Sequence, residues 1–339
     1  MRRLVPTLAA CVLVALPVLA ARNSLDIYFV DVEGGQATLL VTPAGESLLV
    51  DAGWPGNQGR DASRIQSAMK KAGVQQIDYF WMTHYHMDHV GGLEELAEKV
   101  PIKTFVDHGD NAESGAGAQR LNASYERART KGKRLSLKAG DRLPLKGVEL
   151  VVVASGGSLL SKAVNGGGKA NALCASSMQK AADPSENARS LGFLLTFGKF
   201  RFLDLGDLTW NKELELVCPN NLLGQVDVYL TTHHGMDISG PPQIVHALAP
   251  RVVIMNNGAK KGGSAPAVKV VRSSPGLEDL WQVHYAVAGG AENNTVPDQI
   301  ANLEENCQGQ GLAVSARKDG SFDVENTRNS HKKSYKARR

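Results

Sequence analysis

The run Thr83-His84-Tyr85-His86-Met87-Asp88-His89-Val90-Gly91-Gly92 places three imidazoles and a carboxylate within six residues. Few features constrain a fold as tightly. Neutral imidazole nitrogen and carboxylate oxygen are the donors that zinc and related divalent metals accept. The flanks say how the cluster is held. Ile77-Asp78-Tyr79-Phe80-Trp81-Met82 reads as a buried strand, and Leu93-Glu94-Glu95-Leu96-Ala97 reads as a helix. The cluster therefore sits on a strand-to-helix turn, where the pair Gly91-Gly92 is expected to let the backbone turn tightly.

Further strands and helices follow from the same periodicities. Leu25 to Val32, Ala37 to Val41 and Ser47 to Val50 read as strands, the last two joined by the turn Pro43-Ala44-Gly45. The third strand runs into Asp51-Ala52-Gly53. A helix is expected from about Asp61 to Ala72, a strand at Lys103 to Val106 ending in Asp107-His108-Gly109, and a long polar helix over roughly Ala118 to Thr130. Residues 156–190 break periodicity and read as a flexible insertion or lid, because strand patterns resume directly after them. Leu191 to Phe197 and Phe200 to Leu205 form a hairpin followed by Gly206-Asp207, and Val226 to Thr232 is a strand delivering His233-His234-Gly235. Strand runs followed by helices, given twice, imply an α+β chain with two sheets and helices outside.

The N-terminus has a different character. Arg2-Arg3, an apolar stretch from Leu4 to Leu19 and small residues near Ala20 read as a secretory signal over residues 1–21. The mature chain is then expected to be secreted or periplasmic, with no membrane span. Cys174, Cys218 and Cys307 would remain; an oxidising compartment permits one disulfide among them, and spacing does not say which. The formal net charge of +4 owes much to residues 328–339, which read as a basic solvated tail.

In this order, Asp51-Ala-Gly, His-x-His-x-Asp-His at His84 to His89, Gly206-Asp207 and His233-His234-Gly235 resemble the metallo-β-lactamase superfamily, nearest to its competence-type hydrolases from bacterial DNA uptake. The resemblance runs from Leu25 to about Asn257. It implies an αββα sandwich formed by residues 22–327 as a single domain, with a binuclear metal site where strand ends converge. By that resemblance His84 and His86 hold a first metal, Asp88, His89 and His234 a second, and Asp207 bridges them. His233 is then a proton donor to the leaving group, the order of the two histidines being open, and Asp51 braces the metal loop. The family's further histidine upstream of the bridging aspartate is missing from Ser185 to Leu191; Asn187 and His108 are candidate replacements. Two zinc ions are implied, with manganese tolerated.

Such ions stand ~3.5–4 Å apart and generate a bridging hydroxide that attacks carbonyl or phosphorus, with Asp88 part of the catalytic machinery. No Gly-x-Ser-x-Gly nucleophile motif is present. The competence-type likeness favours a phosphodiester, with nucleic acid one possible partner, whereas a cyclic amide, lactone or carboxylic ester is the alternative. Lys260-Lys261 reads as a solvated turn or an anion contact, and Trp54 as a wall for an apolar group. The insertion carries Lys162, Lys169 and Lys180 but no aromatic residue for stacking bases. A metal-binding protein that has lost catalysis is the third class, separable from an enzyme by substituting His86 or Asp207.

Overall fold

The computed structural model describes residues 22–338, so the signal read over residues 1–21 lies outside the described residues. Two nine-stranded sheets form the centre of the molecule. The first runs in the order Lys332–Tyr335, Phe322–Asn326, Leu312–Ala316, Leu25–Phe29, Thr38–Val41, Ser47–Val50, Ile77–Trp81, Ile102–Asp107 and Lys133–Ser136. In the second, Ile300–Asn302, Asp279–His284, Val252–Met255, Val228–Leu230, Phe200–Asp204, Gly192–Phe197, Glu149–Ser155 and Arg142–Leu143 lie side by side, with Ser158–Leu159 paired to Glu149–Ser155.

Alternation along each strand divides the side chains between two faces. In the strand Ile77–Trp81, Trp81 points into the space between the sheets while Phe80 joins the outer cluster. Phe200 and Phe202 face inward, and Leu203 outward. Edge-to-face aromatic contacts close the inner layer, with ring centroids 5.1 Å apart for Trp81 and Phe193 and 6.0 Å for Phe29 and Phe202. Helices Arg60–Ala72, Leu93–Ala97 and Ala116–Arg129 cover the first sheet, and Trp210–Val217, Pro242–Leu248 and Ala265–Arg272 cover the second. Three apolar clusters, one between the sheets and one under each helical layer, make this an αββα sandwich.

Two segments differ from expectation. The basic run at the C-terminus is not free in solvent, because Lys332–Tyr335 pairs antiparallel with Phe322–Asn326. Tyr335 is buried, its hydroxyl donating to Asp279 Oδ2 at 2.6 Å and accepting from Trp281 Nε1 at 3.0 Å. One apolar anchor recruits a charged run whose lysines stay half-exposed against Asp323 and Asp279. The insertion is likewise tied down, by a Cys174–Cys218 disulfide and by pairing of Lys169–Ala170 with Asn220–Asn221. Among the described residues no helix is long and apolar enough to cross a membrane.

Candidate metal centre

In both sheets a block of strands runs parallel: Ser47–Val50 through Lys133–Ser136 in the first, and Phe200–Asp204 through Ile300–Asn302 in the second. Loops at the carboxyl ends of parallel strands gather at one edge, where α/β sheets bind their ligands. Asp51 and His84 leave two strand ends of the first sheet, and Asp207 and His233-His234 leave two of the second.

One donor atom from each of Asp88, His89, Asp207 and His234 lies within 4.8 Å of all the others, and all four residues are buried. His89 Nε2 stands 3.2 Å from both Asp88 Oδ2 and Asp207 Oδ2. His234 Nε2 stands 3.3 Å from Asp88 Oδ2 and from Asp207 Oδ1. Close as they are, His89 Nε2, His234 Nε2 and Asp207 Oδ1 have no aligned hydrogen-bond partner. Buried polar atoms without partners are costly. A shared cation satisfies all of them at once, and the N and O donors are those zinc takes. Beside this group His84 Nε2 and His86 Nδ1 face each other at 3.0 Å, a second pair of donors aimed at one point. The far nitrogen of His86 is 3.1 Å from Glu113 Oε1, which orients the ring.

The loop is braced from beneath by Asp51. Its Oδ1 accepts from Thr83 N at 2.8 Å, and its Oδ2 takes Thr83 Oγ1 and His89 Nδ1 at 2.7 Å each. With Nδ1 held there, His89 Nε2 is left to face the carboxylates. Asp51 stands at φ 58°, and His233 and His234 at φ 55° and 56°, left-handed values that cost side-chain-bearing residues about 1–3 kcal/mol each. Packing holds that strain so that both successive histidines present their rings to Asp207. Gly206, at φ 56°, is required by contact, because a Cβ there would strike Thr83.

Charge follows geometry. Burial by itself would raise the Asp88 and Asp207 carboxyls, but the imidazoles of His89 and His234 hold both well below the usual carboxylate range. Burial, and then the neighbouring His89, pushes His84 well below its ordinary value. In His89 burial also works downward, yet Asp207, Asp88 and Asp51 together carry it well above. A divalent metal held by these groups would displace any proton from the His89 nitrogen that faces them.

The other expected site residues divide. His233 lies outside the four-residue group, with Nε2 3.3 Å from Asp207 Oδ2 and Nδ1 3.4 Å from Ser239 Oγ. It lines a cavity of about 460 Å³ with Lys180, Trp210 and Ile238. The His108 ring is buried and committed to Glu186, Nε2 to Oε2 at 2.9 Å, so it replaces no missing ligand. Asn187 Oδ1 is buried without a partner, which leaves a carbonyl free in the region that lacks the histidine. Gly91 and Gly92 have ordinary helical φ of −62° and −78°; their lack of a side chain serves close packing on Pro55 and Ala52 rather than a sharp turn.

Sequence leaves Lys261 as half of a turn, yet its ammonium contacts Asp88 Oδ2 and lies 5.4 Å from the Trp54 ring centroid. Its neighbour Lys260 is the solvated one, exposed and paired with Glu305. Trp54 accordingly carries a cation. Glu113 and Glu186 have no local signal. Glu186 accepts from the Tyr85 and Ala112 amides at 3.2 and 2.7 Å, and so bolts the insertion to the His84 loop.

Residues 30–164 match the model of the metallo-beta-lactamase superfamily. That match spans about two fifths of the chain, including the His84 to His89 loop, and the two sheets with outer helices form an αββα sandwich. A UPF0173 metal-dependent hydrolase from Herpetosiphon aurantiacus is 36% identical over 76 residues, which are 22% of this chain and 29% of that protein. The chain thus matches under a third of that relative's length. Among solved structures, the metallo-beta-lactamase fold protein YhfI from Bacillus subtilis aligns with TM-score 0.48 and 10% identity, over 76% of this chain and 95% of its own. Zn(2+)-bound PqqB from Methylobacterium extorquens aligns with TM-score 0.42 and 14% identity, over 69% and 89%.

Proposed function

We propose that the chain is an exported metal-dependent hydrolase with a binuclear site, acting on a phosphodiester or related phosphate ester. The six donors His84, His86, Asp88, His89, Asp207 and His234 support the metal reading, and the superfamily domain and the relative named a metal-dependent hydrolase support hydrolysis. Bound divalent metal lowers the pKa of water toward neutrality and stabilises negative charge on oxygen. The chain's own groups do the rest. Asp88 and Asp207 remain ionised, and Asp51 sets the His89 tautomer. His233, whose pKa burial lowers, stands neutral beside Asp207, where it would accept a proton from the attacking water and pass it to the leaving group. Lys261 supplies the observation that favours an anionic substrate: its ammonium is directed at the ligand cluster, where a phosphoryl oxygen gains a charge-assisted hydrogen bond.

Zinc is the favoured metal and manganese the alternative. The Cys174–Cys218 disulfide supports an oxidising compartment and hence export, in line with the signal read over residues 1–21. The competence-type branch fits the Asn and Ser that stand where other members have histidine, and it makes nucleic acid a possible substrate.

A second reading, hydrolysis of a lactam, lactone or carboxylic ester, draws on a cavity of about 480 Å³ beside His86, lined in part by Pro55, Met87 and Leu121. Hydrolysis of bis(p-nitrophenyl) phosphate by the zinc-loaded mature chain separates the two. Turnover absent from the His86→Ala protein supports the first; no turnover with two zincs bound overturns it in favour of the second.

A further inference from the structure

Four ligating side chains that share no residue with the Asp88 group meet elsewhere in the sandwich. Asp31, Glu33, His284 and Cys307 each offer one donor atom, all within 4.8 Å of one another. Cys307 Sγ lies 3.2 Å from Asp31 Oδ2, 3.5 Å from Glu33 Oε1 and 3.8 Å from His284 Nε2. His284 Nε2 is in turn 2.9 Å from Asp31 Oδ1. Asp31 and His284 are fully buried, and Cys307 is the free cysteine among the described residues. We propose that this group is a separate zinc site, in which His284 Nε2, Cys307 Sγ and one carboxylate oxygen each from Asp31 and Glu33 hold a single ion.

The donor set carries the assignment. One thiol, one imidazole and two carboxylates make four ligands, the number a closed zinc site takes, and a thiolate disfavours magnesium or calcium. Charge is consistent with a bound cation. Arg64 donates to Asp31 Oδ2 at 2.7 Å and to Glu33 Oε1 at 3.1 Å, so one positive charge already stands behind the carboxylates. With the thiol ionised on binding, three anionic donors would face the ion while Arg64 stays on the carboxylates.

The position gives such an ion a task. Its ligands come from the end of the strand Leu25–Phe29, the end of Asp279–His284 and the loop between Ile300–Asn302 and Leu312–Ala316, so it joins both sheets. Glu33, at φ 56°, leads into Gly34-Gly35-Gln36, and the Gln36 amide donates to the Asp88 carbonyl at 3.0 Å. A Cβ on Gly35 would strike that carbonyl. Zinc at Glu33 therefore fixes the segment against which Asp88 rests.

Cobalt(II) titration of the mature chain tests the proposal. The Asp88 group holds no sulfur, so a thiolate-to-cobalt charge-transfer band in the near ultraviolet reports Cys307 alone, whatever the turnover of the other centre. The band is expected in the native chain and not in the Cys307→Ser chain, which should also bind one zinc fewer by elemental analysis. A native chain without the band, or a Cys307→Ser chain with undiminished zinc, overturns the site. A measurement without substitution guards against misfolding. Zinc should slow the reaction of Cys307 with a thiol reagent at least about tenfold, as a closed four-ligand site requires, and equal rates with and without zinc would also overturn it.

Discussion

Replacing Asp51 by Asn isolates the contribution of one buried oxygen to metal affinity. The two side chains have nearly the same shape, and Asn tolerates the left-handed backbone found at φ 58°, so the substitution adds no new strain. Asn Oδ1 can still accept from the Thr83 amide, at 2.8 Å in the native chain. The other position changes from an acceptor into an NH2 donor facing His89 Nδ1, now 2.7 Å from Asp51 Oδ2. To avoid two donors in contact, His89 must move its proton to Nε2, the atom that faces Asp88 and Asp207. A protonated nitrogen cannot ligate. Loss of such an orienting partner costs about 10- to 100-fold in metal affinity, or about 1.4–2.7 kcal/mol. Competition with a chromophoric zinc chelator reads this directly, and thermal unfolding of the metal-free protein reports the fold. Zinc affinity within twofold of native, accompanied by a lowered Tm, would refute the tautomer argument and leave Asp51 a loop brace only.

Other outcomes follow from particular contacts. Lys261→Met should raise KM for an anionic phosphodiester about 10- to 100-fold, the worth of a hydrogen bond to a charged group, and change kcat much less; an equal effect on a neutral ester would remove Lys261 from substrate recognition. Glu213 is buried, and desolvation pushes its carboxyl up to about 8 from an ordinary 4.5. Between those values the folded chain keeps a proton that the unfolded chain has released, so stability falls as pH rises through that window. Glu213→Gln should flatten the decline, as Tm at pH 5 and pH 8 would show; an unchanged slope would assign the decline to other groups. Opening the Cys174–Cys218 bond, which closes 44 residues, should cost about 2–4 kcal/mol in a denaturant titration with and without reductant, and an unchanged midpoint would mean the insertion is held by its strand pairing alone. Trp81→Ala should cost about 3–5 kcal/mol, because the indole is fully buried between the sheets and its Nε1 donates to Leu191 O at 2.8 Å; a loss under about 1 kcal/mol on chemical denaturation would contradict that packing.

Local pattern was enough for the strands between Leu25 and Val106 and between Leu191 and Thr232 and for the long helices, because side-chain alternation and helical period are properties of neighbouring residues. The helix expected from Asp61 to Ala72 is found at Arg60–Ala72, and the polar helix expected near Ala118 to Thr130 at Ala116–Arg129. His84 to His89 could be read as a cluster because contiguity brings its donors together. Asp207 and His234 were reached through the superfamily order of motifs, each placed just after an apolar strand.

Distant pairs were decided only by the order of strands within the sheets and by how the sheets pack. Lys261 meets Asp88 across 173 residues, and Cys307 meets Asp31 across 276. His108 was a free candidate until the fold set Glu186, 78 residues away, against its ring. Cysteine spacing left the disulfide open, and folding brought Cys174 rather than Cys307 to Cys218. The basic C-terminal run looked like a tail by charge alone, yet burial of Tyr335 made it a strand. Sequence by itself determined most of the central strands, the long helices and the donor-bearing turns, since those depend on residues a few positions apart. Tertiary structure decided which donors share a centre and which charge faces it, since those depend on distances that only the packed sandwich sets.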